Sequence, residues 1–280
     1  MGRNGVYDIL STKYTLTVSK KRNYTVESNQ LLNCTWGLGS NVLSNPLEYP
    51  RPNNLIYPIS GQPLYMQTSG ALQYITAPSG QFNYIVGMRR PVNGSSESAL
   101  GVIDLLWANS GIVMTGSGYA QAVNSVEFPP RDDSGLATGY GVYPALLVGA
   151  TTTQTNQFKD TILEYTNTNN ESFRTGRLNI FPPTAVAGCF LPFSLDIGDL
   201  GVKSIQSVTF PRSMVSTTTG SVHLVAFRPI IFGMAPASSY GIDFYSSGLT
   251  KIHNDSCLTV VNINGFQIIT EYLIEMVIDS

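Results

Sequence analysis

Between Cys189 and Phe232 the chain reads CFLPFSLDIGDLGVKSIQSVTFPRSMVSTTTGSVHLVAFRPIIF. Leu191, Phe193, Leu195 and Ile197 are apolar at every second position, with Pro192, Ser194 and Asp196 between them. That is the period of a strand with one buried and one wet face, because successive side chains on a pleated backbone point to opposite sides. A Gly-Asp-Leu-Gly turn follows, then a run in which Gln206, Val208 and Phe210 alternate with Ile205, Ser207 and Thr209. Ser221 to Phe232 is apolar at both parities and reads as a central strand. Runs of this kind restrict the chain to a sheet-built fold.

The other segments extend the pattern. Tyr14, Leu16 and Val18 alternate with polar residues, and the Lys20-Lys21-Arg22-Asn23 turn leads into Tyr24 and Val26, the outline of an N-terminal hairpin arm. From Gly37 to about Gly94 the chain is dense in Pro, Gly, Asn and Tyr. Prolines 46, 50, 52, 58 and 63 exclude a helix or a central strand there, leaving short strand pieces near Gln73–Ile75 and Tyr84–Met88. One helix is predicted, over about 95–110: a serine cap, Glu97 in the first turn, and Leu100, Ile103, Leu106 and Trp107 on one face ahead of Gly111. Trp107 on that stripe is assigned to the core. Further strands are expected at Ala145–Val148, in a hairpin of Thr161–Thr166 with Phe173–Ile180, and in a C-terminal hairpin. The latter joins Cys257–Ile263 through Asn264-Gly265 to a long strand reaching Ile278.

Strand follows strand with no βαβ rhythm. The expected fold is therefore all-β: an antiparallel β-sandwich or jelly roll with one inserted helix and an extended N-terminal β arm. Two regions are expected, an arm, loop and helix region over 1–115 and a sandwich core over 116–280.

Catalytic signatures are sparse. His253 and Asp255 could be written into a triad with a serine, but no Gly-x-Ser-x-Gly elbow accompanies them. His223 lies within a strand and reads as structural. Arg131-Asp132-Asp133-Ser134-Gly135 resembles half a calcium loop without the alternating ligands or the closing Glu, and reads as a solvated turn. Asp196 and Asp199 share one turn and cannot be placed across a sugar. Cys34, Cys189 and Cys257 are odd in number and far apart, which reads as buried free thiols made in a reducing compartment. The first residues, MGRNGVYDILSTKY, show no signal-peptide h-region, and no apolar stretch approaches the ~20 residues of a membrane span. No cofactor or metal is implied, and an enzyme is not expected.

Composition narrows the partners. Charged residues make up 12% of the chain, against roughly a quarter in an average soluble domain, and the net charge is −2. Phosphate neutralisation needs clustered Lys and Arg, so nucleic acid is a poor partner. Neutral polar groups cost less to desolvate than charges, so this surface suits burial against other proteins, copies of itself included.

Several segments carry a resemblance: Asp104–Ile112, Ala120–Asn124, Arg131–Gly135 and Gly139–Val142, then Tyr165-Thr-Asn-Thr with Arg174–Arg177, and Gly198–Val208. Together, over about residues 100–260, they resemble a loosely characterised family of tailed-bacteriophage virion structural proteins. The resemblance implies a multi-copy, β-rich particle component assembled in the bacterial cytoplasm and acting through subunit contacts. Capsid decoration, cement or a minor head protein is the first expectation, and a neck, tail or fibre component the second. A carbohydrate- or receptor-binding sandwich is the alternative from outside that class, since loop tyrosines and amides suit sugar stacking. The expected partners are copies of the chain and other virion proteins, such as a major capsid protein or neck and tail proteins. Tyr14, Lys20, Lys21, Arg22, Tyr49, Tyr57 and Tyr65, on the arm and the proline-rich loops, are the candidate interaction residues.

Overall fold

The structure is a computed structural model. It describes residues 24–28, 31–34, 57–68, 71–72, 74–89, 98–113, 118–150, 160–178, 189–211, 221–235, 241–243, 250–262 and 272–279. Every element among them is a strand. The first five are β1 (Tyr24–Ser28), β2 (Leu31–Cys34), β3 (Gln62–Pro63), β4 (Phe82–Arg89) and β5 (Ser98–Ile112). Then come β6 (Ala120–Ala122), β7 (Tyr143–Ala150), β8 (Ile162–Asn167), β9 (Arg174–Arg177) and β10 (Cys189–Pro192). The last are β11 (Val202–Thr209), β12 (Ser221–Ala235), β13 (Gly241–Asp243), β14 (Leu258–Asn262) and β15 (Tyr272–Asp279). The all-β expectation holds.

The large sheet runs β12–β7–β10–β2–β14–β5, and β5 also pairs with β12 from Ser98 to Ile112, so the hydrogen-bonded ring closes on itself. β3 adds to β5 beyond β14, at Gln62 and Pro63, the peripheral place a proline-bearing strand requires. Pairing is antiparallel except where β2 runs parallel to β10 and β14, so the sheet is mixed rather than purely antiparallel. Strands from either side of residue 115 share it: β5 lies with β7, β12 and β14.

Residues 98–112 are strand, not the predicted helix. The helical spacing of Ile103, Leu106 and Trp107 has a different origin. Ala226 pairs with Trp107 and Phe227 with Leu105, leaving Leu106 as the extra residue of a β-bulge. A bulge turns two consecutive side chains to one face. Leu106 and Trp107 accordingly join one core, while Ile103, Leu105 and Ala108 join the core on the other side. A strand buried on both faces has no period of two to display, and the bulge supplied a false period near 3.6. Trp107 is in the core as expected.

The second sheet, β6–β11–β8–β9, is antiparallel, and β8 and β9 form the expected hairpin. Its Leu163, Tyr165, Val202, Ile205 and Val208 share a core with Leu146, Val148, Leu191, Val222 and Leu224 of the large sheet. Two sheets thus pack face to face. β11 carries register shifts between Val202 and Ser204 and between Ile205 and Ser207, so Ile205 and Val208 are both buried despite their odd separation. The alternation read there assigned them to opposite faces, because a bulge cannot be seen in a simple alternating count.

The two sheets are also tied where the loop before β7 crosses the start of β11. Gly141 N–H donates to the Leu200 carbonyl and Val202 N–H to that of Val142. Gly139 has φ +83° there, and a β-carbon would overlap the Val202 carbonyl. Gly139→Ala combines left-handed strain with a backbone collision, and is expected to cost about 2 kcal/mol in urea unfolding. An unchanged midpoint would mean that the crossing is looser than described.

A third sheet, β1–β15–β4–β13, is antiparallel. The C-terminal hairpin expected from Asn264-Gly265 is not made: β14 lies in the large sheet and β15 in this one. Each strand pairs with a sequence-distant partner instead. The arm expected before Tyr24 lies outside the described residues.

Candidate functional site

The most charged part of the interior centres on β5. Asp104 is 0% exposed and lies beside Arg131 and Arg228, which are 1% and 2% exposed. Arg131 donates from Nε and Nη2 to the two Asp104 oxygens, 3.1 Å each, the paired geometry in which a guanidinium binds a carboxylate best. It also donates to the Leu64 and Leu105 carbonyls and to Asp255, and the Tyr65 ring covers its far side at 5.4 Å. Ser256 Oγ and Cys257 N–H complete the Asp104 shell at 2.7 and 2.9 Å. Burial opposes the charge on Arg131, but the carboxylates of Asp104 and Asp255 outweigh it and raise its pKa. For Arg228 burial dominates and lowers it. Cys257 is a buried free thiol, pushed up to about 12 by burial and then by the Asp104 charge.

Asp132, next to Arg131, is also buried, which corrects the reading of 131–135 as a solvated turn at its first two residues, while Asp133, Ser134 and Gly135 are exposed. Its two oxygens accept from the backbone N–H groups of Ser134, Leu136, Thr138 and Gly139 and from the hydroxyls of Ser134 and Thr138. Burial alone would raise its pKa, and these donors reverse that and hold it below the usual carboxylate value. A carboxylate saturated by six donors has no lone pair left for a cation. Among the described residues no group of three or more Asp, Glu, His or Cys is placed to hold a metal ion.

A second network braces the small sheet. Asp199, its side chain 4% exposed, accepts from Tyr165 Oη, from Asn167 Nδ2 at 2.8 Å and from Arg174 through Nε and Nη2 at 3.1 and 3.2 Å. Burial would raise the Asp199 pKa, but the hydrogen bonds from Tyr165, Asn167 and Arg174 and the Arg174 charge lower it. Arg174 also reaches Asp196 at 3.2 Å. The carboxylates Asp196 and Asp199 therefore clamp one arginine and do not face each other across a cleft. Around this clamp stand exposed apolar side chains: Ile197 (95%), Phe173 (80%), Leu200 and Tyr140. Phe173 holds φ 63°, a conformation that costs an aromatic residue of order 1 kcal/mol or more. Asn170 in the same turn shares that conformation, but Asn tolerates it.

The alternation from Leu191 predicts Ile197 as the fourth inward position of a strand. Leu191 and Phe193 are buried and Leu195 partly so, but β10 ends at Pro192. Asp196 N–H then bonds the Tyr165 hydroxyl and Asp199 N–H the Asp196 carbonyl, forming a turn with Ile197 at its tip. The exposure of Ile197 and Leu200 could not be read from the sequence, because the turn that presents them is fixed by Arg174, which is 22 residues from Asp196 and stands beside Phe173 in a separate turn.

Of the candidate interaction residues, Tyr14, Lys20, Lys21, Arg22 and Tyr49 lie outside the described residues. Tyr57 packs against the core and stacks on His223, with ring centroids 4.5 Å apart. Tyr65 is exposed over Arg131. The structure does not bring Tyr57 and Tyr65 into one surface with the Asp199 clamp. Ser256, the serine nearest to His253 and Asp255 in the sequence, gives its hydroxyl to Asp104.

His223 is a pH-sensitive point. Its Nδ1 is buried without a hydrogen-bond partner, and burial pulls its pKa down to about 4 from 6.5. The unfolded chain then takes up the proton more readily, so the stability linked to this group is full above pH 6.5 and drains as pH falls towards 4. The expected loss between pH 7 and pH 5 is about 2 kcal/mol. His223→Gln is expected to shrink that loss by the same amount in urea titrations at the two pH values. An equal loss in the variant would assign the acid sensitivity elsewhere. Asp132 and Asp199, both depressed, add their losses only below the ordinary carboxylate value of 3.8.

No family model, no curated protein and no solved structure matches this chain.

Proposed function

We propose that this chain is a structural component of a tailed-bacteriophage particle, a multi-copy capsid decoration, cement or minor head protein that works through subunit contacts. It assembles in the host cytoplasm onto copies of itself and onto other virion proteins. The observation that carries the contact-making part of this reading is the Asp199 clamp, which ties together two turns, one bearing Phe173 and the other Ile197 and Leu200, all three exposed to solvent. Large apolar side chains held rigidly lose little entropy when a partner covers them, which is how interface anchors gain their energy. The motifs that resemble the virion family support the rest. Asp104, Arg131, Arg174 and Asp199 all lie within them and form two ionic frames, the first buried and the second partly exposed at Arg174. We read the face-to-face sheets as jelly-roll-like, a shape suited to a shell component.

A neck, tail or fibre position is the second reading within this class. Sugar binding is the reading outside it, and the exposed Phe173 beside Arg174, Asp196 and Asn170 favours a test of that too. Purified particles analysed by quantitative mass spectrometry, alongside a glycan array with the isolated chain, separate them. Many copies per particle support the structural reading. Glycan binding lost in Phe173→Ala, with the chain absent from particles, overturns it.

A further inference from the structure

Six exposed apolar side chains, among them the four most exposed, form two groups at opposite ends of the small sheet, while Tyr65, Ile75, Leu136 and Tyr140 stand outside these groups. At the end where β11 begins, Phe173, Ile197 and Leu200 surround the Asp199 clamp. At the other end, where Thr209 pairs with Ala120, stand Ile59 (81% exposed), Val113 and Tyr119. β11 spans the interval with eight residues, about 26 Å at ~3.3 Å per residue. The second end is braced like the first. Gln121 locks Val113 by accepting from its N–H at 2.9 Å and donating to its carbonyl at 2.7 Å, and Gly111 N–H holds the Ile59 carbonyl at 2.8 Å.

We propose that copies of this chain associate head to tail, the Phe173–Ile197–Leu200 end of one seating on the Ile59–Val113–Tyr119 end of the next. This rests on the contact-making reading above and specifies its geometry. Three observations select a second copy as the occupant. The two apolar ends lie at opposite poles of one sheet, so a shift along β11 brings unlike ends together, the arrangement of a heterologous contact. Their rims are electrically compatible: Arg174 and Lys203 alternate with Glu171 and Asp196 at the first, while neutral amides, Gln121 and Asn124, border the second. The net charge of −2 over 280 residues gives copies little mutual repulsion, and a strongly charged partner would find no matching field on either end. Unlike ends that repeat close into a ring or run on as a filament.

The test uses the full chain in analytical ultracentrifugation over a wide concentration range, with Ile197→Asp and Ile59→Asp, each spoiling one end. The wild type is expected to grow beyond two chains. Each variant alone stays at the mass of one chain, because its intact end meets only spoiled mates. An equimolar mixture gives twice that mass and no more, since one intact end of each kind remains. A wild type that stays a single chain overturns the proposal, as does a mixture that forms no pairs. Ile59→Asp that still dimerises, with Ile197→Asp monomeric, would show like ends meeting and would overturn it as well. Circular dichroism and melting establish that the variants fold, and Ile197→Asn with Ile59→Asn repeats the test should a charge disturb either turn. Particle incorporation is measured separately, so a chain that enters particles yet stays single in solution defeats only this inference.

Discussion

Asp104→Ala is expected to lower the unfolding free energy by about 3–5 kcal/mol, the cost of leaving a buried charge without its partner. Arg131 loses both charge-assisted bonds and keeps only two backbone carbonyls and the partly exposed Asp255. Arg228 loses the Asp104 carboxylate 4.0 Å away while its buried Nε already lacks a partner. Ser256 Oγ and Cys257 N–H are stranded in the same step. Guanidinium chloride unfolding followed by fluorescence measures the loss. Removing the charges together, as in Asp104→Leu with Arg131→Met, is expected to cost less than the single change, because Arg131 no longer faces an empty site and only Arg228 still loses its carboxylate. A double variant as unstable as the sum of its single changes would deny that the pair is coupled.

Asp132→Ala is expected to cost about 3 kcal/mol, since each charge-assisted hydrogen bond contributes of order 1.5–3 kcal/mol and water replaces those on the exposed side of the loop. The loss should be local as well as global. Hydrogen exchange at the Leu136, Thr138 and Gly139 amides is expected to accelerate, while amides of β12 keep their protection relative to the reduced global stability. Asp132→Asn keeps two acceptor lone pairs on one oxygen only, and is expected to fall between alanine and wild type. Unchanged exchange at all three amides in Asp132→Ala would remove Asp132 as the organiser of the loop.

The fold class was legible because alternation survives wherever a strand has one wet face. β8, with burial alternating residue by residue, is the clearest case. Legibility failed where the physics leaves no alternation. β5 is buried on both faces and bulged at Leu106, and so imitated a helix. β11 changes phase at two bulges. The sequence marks β14 and β15 as strands, but which strand a strand chooses depends on contacts far away in sequence, as Leu258 with Asp104 and Met276 with Ile85 illustrate. The candidate site was less legible still. Asp132 and Asp199 stand in Gly-rich segments that look like solvated turns, and only the converging donors from Thr138, Tyr165, Asn167 and Arg174 make them structural anchors. The exposed Phe173 and Ile197 follow from those anchors, and no local pattern announces them.

The proposed role in subunit contact rests on exposed apolar side chains beside the Arg174–Asp199 clamp and on a chain with little charge. Contacts of that kind depend weakly on ionic strength, because screening acts on exposed charges and not on buried apolar area. The most direct measurement is the copy number of this chain in purified particles, taken by quantitative mass spectrometry before and after a high-salt wash. A fixed, multi-copy stoichiometry that survives the wash is the predicted result. A chain absent from the particles, or one stripped completely by salt, would contradict a structural role carried by these surfaces.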